Sequence, residues 1–353
     1  MNLSDVFSAK SVASVHTQVA SNNIPYLGAG LFPAKKKMGL DLKWVKTSKG
    51  LPVSLAPAPF DTNSAIRSRE GAKIDETEMA YFKESMLVKE VDEQEIMRVQ
   101  EASDPYAQEV LDRIYNDTET LVDGAMVVPE RMRMQLLNPI SGHPQIILEA
   151  NGTKYAYNYD KDGKYATENY VALDGTSKWT NEASDPIKDV SDAIDAVEAK
   201  SGARPEIMIV NKATMNVLKK NPKVRSYILA QNVSANVVIT DAKVKEIFSS
   251  ELGLTIVVYA KKFKNENGTV ENFFNDGFVS LVPNGALGNT WFGTTPEERT
   301  LLGDATANVS IVETGIAVTV TKTNDPVHTK TTVSEIVLPS FERMDETFCI
   351  KAF

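Results

Sequence analysis

Asp185-Pro186-Ile187-Lys188-Asp189-Val190-Ser191-Asp192-Ala193-Ile194 opens the stretch whose reading decides the fold. Asp185 is a capping residue type, and Pro186 suits the first helical position, where its missing N–H is no loss. Ile187, Val190, Ile194 and Val197 then recur at helical spacing as far as Gly202. Ile207–Val210 reads as a short buried strand, and Asn211 as the N-cap of a helix over Lys212–Lys220 that Asn221-Pro222 ends. Val237–Ile239 predicts another strand. Asp241 caps a helix through about Leu252, with Val244, Ile247 and Phe248 inward. Leu254–Ala260 is the strongest strand pattern in the chain. Asn267-Gly268 turns it, and Phe278–Val282 comes next. The alternation is that of an α/β layer.

Toward the C-terminus the pattern changes to strands alone. Ile316, Val318 and Val320 alternate with threonines, and Val333, Ile336 and Leu338 lead on to Phe348 and Ile350. No helical pattern succeeds these strands, so they must pair with something earlier. That implies a discontinuous domain interrupted by an insertion of about residues 189–330.

Upstream, Val110, Leu111, Ile114, Leu121, Val122 and Ala125 predict a long helix over 104–127, capped by Asp104 with Pro105 first, and stopped or kinked before Pro129. Glu130–Leu137 reads as a second, short helix. Ile146, Leu148, Asn151-Gly152, Tyr155, Tyr157 and Tyr159 predict a hairpin, extended by Lys164–Leu173 into a three-stranded meander. Leu40, Leu42 and Trp44 suggest a strand, and Glu78–Val88 alternates again. Between them lies a proline-rich stretch carrying Arg67 and Arg69. This is a two-stranded excursion that cannot bury its own faces. In residues 1–40, Asn22-Asn23, Pro25, Gly28, Gly30 and Pro33 break any regular element, so either an extended arm bound to something else or a poorly ordered tail is expected.

Composition bounds the function. The 353 residues are 42% hydrophobic and 24% charged, values of a folded protein. A net charge of −9 argues against nonspecific nucleic-acid binding by the bulk surface. A single cysteine, Cys349, excludes an intrachain disulfide and cysteine-based metal clusters. No run reaches the length of a membrane span, and no secretory pattern opens the chain, so folding in a reducing cytoplasm is expected.

Each motif yields to a plainer reading. Asn158–Gly163 resembles half a calcium loop, but Asn169 stands where a bidentate glutamate is needed, so a hairpin turn is expected. Gly28-Ala29-Gly30 and Gly285–Gly288 lack the context of phosphate loops. His16, His143 and His328 lie in three different segments, and Cys349 has no identifiable base; it reads as a small buried apolar residue. Trp179 reads as an anchor for the helix start. No catalytic residue, cofactor or metal is expected.

The run Ser54–Val88, with Ser64-Ala65-Ile66-Arg67-Ser68-Arg69-Glu70-Gly71 at its centre, resembles the extended loop of the lambda-like major capsid proteins of tailed bacteriophages. Thr176–Ile194, with Trp179, Asp185-Pro186 and Asp189-Val190, resembles the same family where its inserted domain begins. Ile207–Val210 with Asn211–Leu218 after it continues the match, as does Asp325-Pro326 ahead of a β-rich C-terminus. The order and spacing extend over roughly residues 40–353, with departures in the arm and in 139–175.

The resemblance implies an α+β, HK97-like major capsid fold. It assigns an N-terminal arm to 1–40 and an extended β loop to 41–90. A peripheral domain with a long spine helix covers 91–188 with 331–353 returning to it, and an axial α/β domain covers 189–330. It implies a structural subunit, not an enzyme, that forms pentamers and hexamers of an icosahedral shell around double-stranded phage DNA held without sequence specificity. The alternative is the shell of a bacterial nanocompartment of the same fold. Implied partners are a portal protein, a scaffold protein and, in some relatives, a decoration protein. The implied location is the virion capsid, assembled in the host bacterial cytoplasm. A separate scaffold or an earlier trimming of the N-terminus is expected. Arg67 and Arg69, at i and i+2 of a strand, would share one face; they either pair bidentately with carboxylates of an adjacent subunit or face solvent and serve only solubility.

Overall fold

The structure, a computed structural model, describes residues 25–45, 74–92, 94, 107–150, 152–230, 238–301, 308–325 and 327–353. The chain divides into two compact units. One comprises 1–42, 76–132 and 289–340, the other 43–75, 133–288 and 341–353.

The first unit is built on Val327–Pro339, a strand of 13 residues. Its length lets it serve several partners. Ala80–Val88 runs antiparallel along residues 329–337. Ile316–Asn324 pairs with residues 327–334, and Thr290–Phe292 with residues 337–339. Asn308–Val312 extends the sheet beyond Ile316–Asn324, and Ala34–Lys36 adds in parallel to Thr290–Phe292. The expected extended arm thus contributes a strand to its own chain. The expected helix breakers Gly28 and Gly30 lie in a short helix, Leu27–Leu31. The buried Glu130 carboxylate accepts the Gly28 N–H at 2.9 Å, which satisfies one donor of that first turn. Burial, with the negative charges of Asp123 and Glu130 nearby, pushes the Tyr26 hydroxyl up to about 12.

A single helix, Ala107–Leu137, runs through Pro129. The expected break does not occur. A proline inside a helix costs about 3 kcal/mol. Burial on both sides offsets it: Leu121 and Val122 before the proline, and Met132, Met134, Leu136 and Leu137 after it. Asp104 and Pro105 lie outside the described residues. Leu121 and Val122, flanked by Ala125 and Met126, cover Val312, Ile316, Val318, Val320 and Val333 of the sheet. The alternation Ile316-Val318-Val320 therefore does face a core, as its period requires.

The second unit has a five-stranded sheet in the order Tyr170–Ala172, Phe348–Lys351, Phe278–Val282, Ile207–Val210, Thr255–Val258. Ile207–Val210 and Thr255–Val258 are parallel, joined by a helical crossover. Phe348–Lys351 returns antiparallel beside Phe278–Val282. The segment 331–353 therefore divides between two sheets. Helices Pro186–Ser201, Lys212–Lys220, Pro222–Ala230 and Asp241–Leu252 pack their apolar stripes into one core with these strands.

The caps agree closely with the sequence. Asp185 accepts the Lys188 N–H, Asn211 accepts the Thr214 N–H, and Gly202 closes the first helix at φ 70°. Thr240, one residue before the expected Asp241, caps the last helix. Val238 and Ile239 form no strand, and Val237 lies outside the described residues. Pro222 starts a further helix instead of only ending the previous one, because proline is as good at a first helical position as it is poor inside.

The hairpin Gln145–Ala150 with Thr153–Asn158 forms as expected. The meander does not. Lys164–Glu168 is helical, and Tyr170–Ala172 pairs in parallel with Phe348–Lys351. The cause is Asp160. Its buried carboxylate accepts the N–H groups of Tyr165 and Ala166, each at 3.0 Å, and lies 2.9 Å from His143 Nδ1. A carboxylate so placed nucleates a helical turn and not a strand.

Trp179 anchors as expected, but its partners are the helix Pro186–Ser201 and the C-terminus. Its indole N–H donates to Asp189 Oδ2 at 2.9 Å, and its backbone N–H donates to Ala352 O at 2.9 Å. Asn221 Nδ2 donates to its carbonyl at 3.3 Å. Trp179→Ala is expected to destabilise this unit by about 3–5 kcal/mol. A urea-unfolding curve recorded by circular dichroism checks this; a midpoint unchanged from wild type would show that the indole is dispensable.

Candidate functional site

Arg67, Arg69 and His16 lie outside the described residues. The roots of the excursion that carries the two arginines are described: Asp41–Val45 and Ile74–Glu78 pair as a two-stranded sheet. Next to this root, Met38 and Leu40 are exposed apolar residues. A second exposed apolar group, Leu87, Val91 and Val327, gathers where Ala80–Val88 ends beside the long strand. There the Glu90 carboxylate accepts the Val327 N–H at 2.8 Å.

His143 faces Asp160, and His328 Nε2 lies 2.8 Å from Thr323 Oγ1. Cys349 is buried in its strand, and burial pushes its thiol up to about 12, against smaller opposing hydrogen bonds from Ser280 and Val279. A thiol so placed is neutral and inaccessible, as a small core residue is. Asn158 Oδ1 accepts the Asp160 N–H at 2.8 Å, which makes Asn158–Gly163 a turn. Among the described residues, no group of three His, Cys, Asp or Glu side chains is arranged to hold a metal ion. No described helix is long and apolar enough to cross a membrane.

The densest polar arrangement was not singled out from sequence. Pro296–Leu301 begins after Thr295, whose hydroxyl accepts the Glu298 N–H at 3.2 Å. Thr295-Pro296-Glu297-Glu298 is a Ser/Thr-x-x-Glu start signal, and reading it would have located the helix. That start aims Glu297 at the sheet. Its carboxylate accepts from Tyr81 Oη at 3.0 Å, Lys83 Nζ at 2.5 Å and Ser334 Oγ at 2.9 Å. Glu298 receives Lys36 Nζ at 2.6 Å. One short helix thus ties Ala34–Lys36, Ala80–Val88 and Val327–Pro339 together by charge-assisted bonds.

Burial alone would raise the Glu297 carboxyl. The bonds from Lys83, its own backbone, Ser334 and Tyr81 outweigh this and hold it below its ordinary value. The same bond raises Lys83 above 10.5, and burial raises the Tyr81 hydroxyl with help from Glu297. Because the Glu297 value is depressed on folding, its contribution is present above about pH 4.5 and is lost as pH falls through the lowered value. The Lys83 contribution is present below pH 10.5 and is lost as pH rises past it. Lys83 is half exposed, so screening keeps the gain small. Glu297→Gln is expected to cost about 1 kcal/mol at neutral pH and to flatten the acid limb of the stability profile. Urea midpoints measured across the acid range check this; parallel profiles for the two proteins would remove Glu297 from the account.

Comparison with known proteins bears on what these units build. The family described as "Phage major capsid protein E" matches residues 8–352. A major capsid protein of Pseudomonas phage JBD67 is 33% identical over 76 residues, 22% of this chain and 22% of that protein. One of Burkholderia phage BcepMu is 32% identical over 87 residues, 25% of this chain and 27% of that protein. The chain thus matches about a quarter of the length of these relatives. Among solved structures, a phage-related protein from Bordetella bronchiseptica RB50 superposes with TM-score 0.57 at 16% identity, covering 97% of this chain and 96% of that one. The capsid chain of cyanophage A-1(L) gives TM-score 0.52 at 11% identity, covering 93% and 92%. A match from residue 8 to residue 352 makes this protein a member of the phage major capsid protein E family, with an HK97-like fold.

Proposed function

We propose that this chain is the repeating subunit of an icosahedral phage head. The observation that carries the reading is the family match over nearly the whole chain. It is supported by the exposed apolar ends of the first unit, which suit contacts between copies. In this reading the work of the protein is geometric and not catalytic. Many modest interfaces close a shell, and symmetry sets where they repeat. The subunits form pentamers and hexamers, assemble in the host bacterial cytoplasm with a portal and a scaffold protein, and enclose double-stranded DNA. A decoration protein is a further candidate partner.

Domain roles are assigned within the same proposal. The unit with the six-stranded sheet and most of the long helix takes the peripheral role, and the unit with the five-stranded sheet the axial role. On this assignment the peripheral domain gains residues 289–340, and the return after Ser340 belongs to the axial domain, because the two late strands join different sheets. Residues 1–40 and 41–90 keep the roles of arm and extended loop.

Purified full-length protein, co-expressed with its genomic neighbours, is expected to sediment far above 38.8 kDa and to form closed particles in negative-stain micrographs. A single monomer peak under all these conditions would overturn the reading.

The same proposal gives Arg67 and Arg69 an intersubunit role, with carboxylates of an adjacent copy as partners. Arg67→Ala with Arg69→Ala is expected to leave the circular dichroism spectrum intact. Particle yield is expected to collapse, since truncating a desolvated charge partner costs about 2–5 kcal/mol per site. Wild-type yield from the double variant would end this assignment.

A further inference from the structure

The second unit separates its charges. After the N-cap Asp185, the helix Pro186–Ser201 carries Asp189, Asp192, Asp195 and Glu198 at successive spacings of three, and Asp192 and Asp195 are exposed away from the buried stripe of Ile187, Val190, Ala193, Ile194 and Val197. Adjacent like charges at these spacings repel. The helix dipole welcomes acids only in the first turn, yet Asp195 and Glu198 lie in the half that prefers cations. Lys188 answers Asp192, and Arg204 answers Glu198 at 2.7 Å. Asp195 is exposed and makes no ion pair among the described residues. Asp185 caps the helix and Asp189 accepts the Trp179 indole N–H, so helix stability leaves Asp195 unexplained.

The complement lies in the same unit. From Ile207 to Thr240 the sequence holds no Asp or Glu, but it holds Lys212, Lys219, Lys220, Lys223 and Arg225. These sit on the helices Lys212–Lys220 and Pro222–Ala230. Lys219 reaches Asp241 at 2.7 Å. Lys212, Lys220, Lys223 and Arg225 are exposed and make no ion pair among the described residues. Val224 and Ile228 are the buried side of the second helix, while Tyr227 and Leu229 are exposed beside the cations. The helix Pro186–Ser201 packs on Phe348–Lys351 and on Pro222–Ala230, and Lys212–Lys220 packs on Pro222–Ala230 and Asp241–Leu252. The exposed acidic and basic residues are therefore carried by different helices of this unit.

We propose that the basic face of Lys212–Ala230 binds the acidic face of Pro186–Ser201 on a second copy of this chain. Two different patches meeting head to tail form a heterologous contact, and such contacts generate closed rings when the rotation between copies closes. The charges orient the encounter and suppress like-to-like pairing, and Tyr227 with Leu229 supplies apolar area at its centre. This inference rests on reading the chain as a shell subunit, and it names the surface by which neighbouring copies recognise each other.

The test uses charge reversal in the full-length chain. Lys220→Glu with Lys223→Glu and Arg225→Glu forms one variant, and Asp192→Lys with Asp195→Lys a second. All five positions are exposed, so circular dichroism and urea midpoints are expected to stay near wild type. Each variant is expected to lose at least about tenfold in capsomer yield by sedimentation, and combining both sets in one chain is expected to restore it. Wild-type capsomers are expected to weaken as salt rises from about 0.1 M to about 1 M, because exposed pairs are screened. A wild type that stays monomeric overturns the shell reading and this contact with it. A wild type that assembles beside variants that assemble equally well overturns this contact alone. So does failure of the combined variant to recover while both parents remain folded. Variants that build shells at normal yield but fill with less DNA overturn it in favour of a nucleic-acid surface.

Discussion

Backbone pairing along Val327–Pro339 is the constraint on which the first unit depends. Nearly every residue of this strand is buried, including Thr329, Thr331, Thr332 and Ser334. Each buried N–H and C=O there must find a partner. Three segments, Ala80–Val88, Thr290–Phe292 and Ile316–Asn324, supply them, and two more, Ala34–Lys36 and Asn308–Val312, extend the sheet. Glu297 then fastens the strand to Ala80–Val88 through Tyr81, Lys83 and Ser334. Some of the strand's polar side chains reach across the ladder, as Thr332 does to Ser85 at 3.2 Å.

The second unit solves a different problem. Its sheet is short-stranded, and its stability comes from the helices laid on it. Two contacts close the chain on itself. Phe348–Lys351 inserts between Tyr170–Ala172 and Phe278–Val282, and Trp179 holds Ala352 and the start of Pro186–Ser201 together. At Gly277 the approach is close: φ is 78°, and a Cβ would lie 2.8 Å from the Phe353 carbonyl oxygen. Only glycine suits that backbone and that distance.

Function in such a molecule is distributed. A subunit that recurs in a shell needs surfaces that are incomplete alone. On the proposed function, the exposed apolar side chains at Met38 and Leu40 and at the end of the long strand would be of this kind, as would the exposed charges of the helical layer. Each is weak by itself, since exposed charges are screened and small apolar patches bury little. Repetition by symmetry is what makes such contacts sufficient.

Elements with strong local signals in the sequence stand where their caps and periods put them. Asp185-Pro186 with Gly202, Asn211 with Thr214, Asn151-Gly152, and the alternation Ile316-Val318-Val320 each carry their own physical cause in a few neighbouring residues. So does the burial of Cys349, whose surroundings offer no base. The extended loop with Arg67 and Arg69 was legible only as a pattern, and lies outside the described residues. Tertiary structure decided the rest. Helix continuity through Pro129 required the burial of Met132, Met134 and Leu136. The helical turn at Lys164–Glu168 required the Asp160 carboxylate, which also faces His143 across the hairpin. The Glu297 centre required Tyr81 and Ser334, which lie far from it in sequence. The return of the chain to two separate sheets came from strand partners that no local window contains, because a backbone hydrogen bond between distant segments leaves no mark on the residues beside it.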